Sequence, residues 1–79
     1  MFSFYWLVDT YGLPLDVVIH TLHEKGLMPD WIDFWDTSMK RGWRPSGTYQ
    51  RLRTAVVDVY GPDWCFEWER RMKAYIARS

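Results

Sequence analysis

The chain lacks a second cysteine, a long apolar run and an excess of charge of either sign. Cys65 is the only cysteine among 79 residues, so no internal disulfide can form and no cysteine pair indicates a zinc site. No apolar stretch approaches the roughly 20 residues of a membrane-spanning helix. The formal net charge is zero, whereas dedicated DNA-binding domains are typically strongly basic.

Targeting signals are also missing from the sequence pattern. Residues 1–8 are apolar but have neither a basic start nor a small-residue cleavage site, so they do not predict a signal peptide. A single unpaired cysteine is typical of a reducing compartment. These features predict a cytoplasmic protein that does not enter a membrane.

Aromatic residues, in contrast, are abundant. Six Trp, five Tyr and four Phe make up 19% of the chain, and each large ring buries on the order of 150–250 Å². A domain of this size has a small interior. The sequence therefore predicts a core built from rings, with some rings left at the surface.

Glycine followed closely by proline marks four junctions. The pairs are Gly12/Pro14, Gly26/Pro29, Gly42/Pro45 and Gly61/Pro62. Glycine at a left-handed position ends helices, and proline is tolerated in the first helical turn. The pattern predicts a single all-α domain spanning residues 1–79, with five short helices and no strands, at about 3–11, 14–25, 29–41, 46–60 and 62–77.

The first of these helices is apolar on two sides. Phe4, Leu7, Val8 and Tyr11 form one stripe at helical spacing, while Phe2 and Trp6 lie opposite. A helix that is apolar all round is either central in its bundle or covered by something else. Helix 1 is therefore also a candidate surface for self-association.

The charges are separated along the chain. Residues 1–36 contain six acidic side chains and one lysine, and residues 37–79 contain nine basic and four acidic side chains. The two halves either attract each other within the fold or present separate charged faces to partners.

Catalytic and metal-binding patterns are weak. Asp16, His20 and His23 share one helical flank, but a closed metal site needs further ligands that the sequence does not offer. Cys65 lies between two tryptophans on an apolar face, as expected of an inert buried thiol. We therefore expect no enzyme activity, no cofactor and no metal.

Several aromatic residues fall outside the predicted core, some beside arginine. Exposed aromatic rings with neighbouring arginines are typical of interaction hot spots. The candidate partner-binding residues are Phe2, Trp6, Arg41, Trp43, Arg44 and Phe66. In this interpretation Trp43 is an exposed ring in the loop before helix 4.

A nucleic-acid surface is the alternative. Helices 3 and 4 resemble a helix-turn-helix arrangement in which lysine and arginine residues occur without an acidic residue between them. Side chains there could therefore contact the phosphates or the bases of a nucleic acid. The residues of this candidate interface are Lys40, Arg44, Tyr49, Gln50, Arg51 and Arg53. Arg53 falls inside the apolar arc of helix 4, which predicts that it pairs with an acid from the N-terminal half or extends to water.

The sequence thus favours a small non-enzymatic module that binds a larger protein, such as an adaptor, an assembly factor or an inhibitor of the phage or mobile-element type. DNA binding through helices 3 and 4 is the alternative function.

Overall fold

A computed structural model describes residues 1–78 of the chain, and within them the fold is all-α with five helices and no strand. This confirms the predicted fold class. The helices are α1 (Tyr5–Asp9), α2 (Leu15–Glu24), α3 (Trp31–Lys40), α4 (Pro45–Tyr60) and α5 (Pro62–Arg78). Of the helices in residues 1–78, none combines the length and apolarity needed to cross a membrane.

Gly26, Gly42 and Gly61 lie at the ends of α2, α3 and α4 as predicted, whereas α1 ends at Asp9, before Gly12. Only two of the four prolines begin a helix. Gly12, Gly26, Gly42 and Gly61 all have positive φ, between 67° and 92°. Pro45 and Pro62 are the first residues of their helices. Pro14 instead precedes α2 in an extended conformation, and Pro29 lies before the N-cap Asp30, whose side chain accepts a hydrogen bond from the Asp33 amide.

Helix α1 is shorter than predicted at both ends, since it begins at Tyr5 and ends at Asp9. Phe2 donates its amide to the carbonyl of Met28 and accepts from the amide of Asp30, each at 2.8 Å, which forms an isolated parallel bridge. The placement of Tyr11 in the core stripe is wrong: its side chain is 72% exposed. The helix ends at Asp9, so the stripe does not continue to Tyr11.

Aromatic rings dominate the core, as the composition predicts. Phe4 stacks on Phe34 with ring centres 4.6 Å apart, and both are fully buried. Tyr5 is also buried against Phe34, although the sequence pattern placed it between the two faces of helix 1. Burial of such rings contributes several kcal/mol each, about 3–5 for truncation to alanine.

Helices α4 and α5 are joined by an ion pair that corrects the expectation for Arg53. Its Nε donates to Oε1 of Glu69 at 2.8 Å, so the acid comes from the C-terminal half. Throughout residues 1–78 every ion pair joins residues of the same half of the chain. The hydroxyl of Tyr75, which donates to Asp36 at 2.7 and 2.8 Å, does connect the halves.

Candidate functional site

Two arginine–tryptophan pairs form the surface named here the Trp–Arg surface, which consists of Trp6, Arg41, Trp43 and Arg51. The Arg41 guanidinium lies 5.1 Å from the centre of the Trp6 ring. The Arg51 guanidinium lies 5.0 Å from the centre of the Trp43 ring. Both distances lie within the range of cation–π attraction, which contributes about 0.5–1 kcal/mol at exposed sites.

Buried Tyr5 brings the two pairs together. Its ring centre is 5.8 Å from that of Trp6 and 5.5 Å from that of Trp43. Trp43 also packs edge-on against Phe34 at 5.7 Å. Both indoles therefore contact the same buried core residue, Tyr5.

The backbone of the α3–α4 connection positions Trp43. Its amide donates to the carbonyl of Ser38 at 2.9 Å, which caps the end of α3, and Gly42 has φ of 85°. The next helix starts at Pro45 and carries Arg51 on its second turn. Arg44 is the N-cap of α4, and no side chain caps this end of the helix.

Basic side chains surround the surface without internal partners. Lys40, Arg41, Arg44 and Arg51 are all exposed. In the part of the chain that the structure describes, none of the four forms an ion pair with a carboxylate. The Trp–Arg surface therefore carries the positive charges of Arg41 and Arg51, and Lys40 and Arg44 add positive charge beside them in the sequence.

The structure brings four of the six predicted partner-binding residues to this region: Trp6, Arg41, Trp43 and Arg44. Trp6 is 51% exposed, as expected. The prediction that Trp43 is an exposed ring is wrong, because this side chain is partly buried and packs on the core. Its hydrophobic neighbours Tyr5 and Phe34 lie far away in sequence, so local spacing could not reveal them.

Phe2 and Phe66 lie elsewhere. Phe2 is exposed in the N-terminal segment beside Met28. Phe66 is 71% exposed on α5 and takes part in none of the ring contacts found within residues 1–78. The six residues therefore do not form one continuous site.

The predicted nucleic-acid residues divide into two groups. Glu69 accepts hydrogen bonds from Arg53 at 2.8 Å and from Tyr49 at 3.1 Å. Burial, reinforced by Glu69, raises the pKa of Tyr49 to about 12. These two side chains join α4 to α5, while Lys40, Arg44, Gln50 and Arg51 are exposed and form no bond to Glu69.

An open depression of about 840 Å³ lies beside the exposed part of α4. Gln50 lines it together with two arginines, Arg51 and Arg53, and two carboxylates, Asp16 and Asp58. Carboxylates on this face repel a phosphate backbone. The geometry therefore gives the nucleic-acid interpretation less support than the count of basic residues does.

The flank of Asp16, His20 and His23 does not form a cluster. His20 pairs with Glu24 at 3.5 Å instead of Asp16, and His23 packs against Tyr60 with ring centres 4.8 Å apart. Over residues 1–78 no three His, Cys, Asp or Glu side chains are grouped as a metal site requires.

Cys65 is buried, as the sequence predicts. Burial raises the pKa of its thiol, and the nearby Glu69 carboxylate adds to this effect. The thiol form is therefore favoured, and thiols are poor nucleophiles and poor metal ligands.

An apolar groove of about 460 Å³ is a feature that the sequence did not reveal. It lies between the start of α3 and α5, with Trp64 at the surface and an ion pair between Glu67 and Arg71 at its rim. Its apolar lining comes from separate segments: Met1, Met28, Trp31, Ile32, Trp64, Trp68 and Met72. Helical periodicity assigns a residue to a face but does not indicate which helices are neighbours, so this lining could not be assembled from the sequence.

Searches against protein-family models, curated proteins and solved structures found no match to this chain. The functional argument therefore depends on the Trp–Arg surface and on the residues around it.

Proposed function

We propose that this protein is a non-enzymatic interaction module that binds a larger protein partner through the Trp–Arg surface, as an adaptor, an assembly factor or an inhibitor. The observation that carries the proposal is the placement of Arg41 over Trp6 and of Arg51 over Trp43, with both indoles in contact with Tyr5. Tryptophan and arginine are the residue types most enriched in binding hot spots.

The arrangement lowers the entropic cost of binding. A free arginine loses side-chain entropy when a partner immobilises it, at about 0.5–1.5 kcal/mol for each side chain. Arg41 and Arg51 are already held against rings that the core fixes. A partner therefore meets a largely preformed surface.

The single cysteine favours a reducing compartment, so we place the protein in the cytoplasm. We propose no catalytic role and no cofactor.

Capture from an extract of the source cells, treated with nuclease, tests this function. The wild-type chain is compared with Trp6→Ala and Arg41→Ala. Lys73→Ala is the control, because it removes one charge from an exposed position on α5. We expect one protein to be captured by the wild type and the control and lost with both surface variants. Equal capture by all four proteins would show that the partner binds elsewhere.

The same proteins distinguish two other ligands. A duplex DNA probe should bind weakly, because Asp16 and Asp58 lie beside Arg51. Tight binding that falls steeply with salt would favour the DNA alternative, since each neutralised phosphate adds about 0.9 to the logarithmic salt slope. Light scattering tests self-association: a dimer that Trp6→Ala dissociates would identify a second copy as the occupant.

A further inference from the structure

The guanidinium groups of Arg41 and Arg51 each lie over one indole ring. A guanidinium is planar, and its five N–H donors point outward within that plane. When its face stacks on a ring, the donors at its edge stay available to a ligand. Within residues 1–78 neither guanidinium donates to a carboxylate.

Carboxylate is the group that best matches this geometry. An Asp or Glu side chain accepts two parallel hydrogen bonds from one guanidinium edge, in a charge-assisted pair. Lys40 and Arg44 add positive charge nearby. The surface is thus complementary to a segment with several negative charges.

The surrounding acids limit the length of that segment. Asp16 and Asp58 line the depression beside Arg51, and Asp9 follows Trp6 by one helical turn and is exposed. A long polyanion such as a nucleic acid would extend over these carboxylates and be repelled. A short acidic peptide covers fewer of these carboxylates than a long polyanion does, because both indoles adjoin the single ring of Tyr5.

We infer that the Trp–Arg surface binds a short acidic segment of a partner protein, with Asp or Glu carboxylates on the guanidinium edges of Arg41 and Arg51 and an apolar or aromatic side chain against the exposed Trp6 ring. This inference rests on the proposed function and specifies the chemistry of the partner.

Selection from a random dodecapeptide display library tests it. The full chain is the bait, and Arg41→Ala/Arg51→Ala is used for counter-selection. We expect the retained peptides to be several-fold richer in Asp and Glu than the library. Retained peptides that are not enriched in Asp or Glu would overturn the inference that the bound segment is acidic, but not the proposal that the surface binds protein. No retention above that of the counter-selected variant would overturn both the inference and the proposal.

The best-retained peptide is then synthesised with a fluorescent label, and its affinity is measured by anisotropy. We expect the dissociation constant to rise at least tenfold with Arg41→Ala/Arg51→Ala. Lys73→Ala/Arg78→Ala removes the same charge from exposed positions of α5 and should change it less than twofold. Equal effects of the two double variants would overturn the inference, because they would show attraction by overall charge alone.

Two further measurements test whether the planar donor edge is needed and which class of ligand binds. Arg41→Lys/Arg51→Lys keeps the charge but removes the planar donor edge, so we expect an intermediate loss of affinity. This variant also keeps long side chains at both positions, so it guards against a folding defect in the alanine variant. Unlabelled single-stranded DNA should displace the peptide only at higher concentration than the unlabelled peptide does, and the reverse order would overturn the assignment to an acidic protein segment.

Discussion

The guanidinium of Arg41, at the end of α3, lies 5.1 Å from the centre of the Trp6 ring on α1. Trp6 also contacts the buried ring of Tyr5 edge-on, so this exposed pair is anchored to the core. A charged side chain and a half-exposed indole are thereby held in a fixed relative position, which is the basis of the proposed binding function.

Trp6→Ala should separate binding from folding. Because Trp6 is half-exposed, we expect the free energy of unfolding to fall by about 1 kcal/mol or less. Phe34→Ala removes a fully buried ring and should cost about 3–5 kcal/mol. Urea unfolding followed by circular dichroism measures both. A loss as large for Trp6→Ala as for Phe34→Ala would identify Trp6 as a core residue.

Glu69→Gln should weaken the contact between α4 and α5. The variant removes the charge that accepts hydrogen bonds from Arg53 and Tyr49, so we expect a loss of about 1 kcal/mol at pH 7. Glu24→Gln, at an exposed pair with His20, is the matched control and should cost less than about 0.5 kcal/mol. Chemical unfolding of the two variants provides the comparison.

The effect of Glu69 should also depend on pH. Burial alone would raise its pKa, but hydrogen bonds from Arg53 and Tyr49 outweigh burial and lower it. A carboxyl with a lowered folded pKa stabilises the fold above its unfolded pKa of about 4.3 and loses that contribution as pH falls through the folded value. The stability difference between wild type and Glu69→Gln should therefore shrink on acidification, and a difference that grows would contradict this electrostatic role.

Tyr49 should ionise at a higher pH than an ordinary tyrosine. Its pKa is raised to about 12, chiefly by burial and then by the hydrogen bond to Glu69. A raised tyrosine pKa stabilises the fold below the unfolded value of about 10, and this contribution disappears as pH rises towards 12. Absorbance at 295 nm should show no difference between the titrations of wild type and Tyr49→Phe below about pH 11, provided that helicity is retained. A difference centred near pH 10 would show that Tyr49 is solvated.

Cys65 should react slowly with a thiol reagent in the native protein. Its side chain is buried, and burial together with Glu69 raises the thiol pKa. We expect the native reaction with a disulfide reagent at pH 8 to be slower by roughly tenfold or more than the reaction in urea. Equal rates would show that the end of α4 and the start of α5 separate readily.

The helices were predictable because their signals are local. Positive φ at Gly42 and Gly61, at the ends of α3 and α4, confirms these glycine stops, which depend only on backbone chemistry. Helix α1 was predicted too long because its start is set by the bridge between Phe2 and Pro29, a contact between distant segments. Local periodicity carries no information about such pairing.

The candidate site was only partly predictable for the same reason. The sequence pattern selected Trp6 and Arg41 as residues outside the core, and both are exposed. It did not predict that they would be stacked, nor that Arg53 would pair with Glu69. Those contacts arise where separate helices meet, and side-chain spacing along one helix cannot indicate the neighbouring helix.

Binding of a protein partner to the Trp–Arg surface can be followed through the indole N–H signals of the six tryptophans. In a ¹⁵N-labelled chain titrated with the captured partner, we predict that the signals of Trp6 and Trp43 shift or broaden while that of buried Trp35 stays unchanged. Changes confined to Trp64, in the apolar groove between α3 and α5, would contradict the claim and locate the partner there.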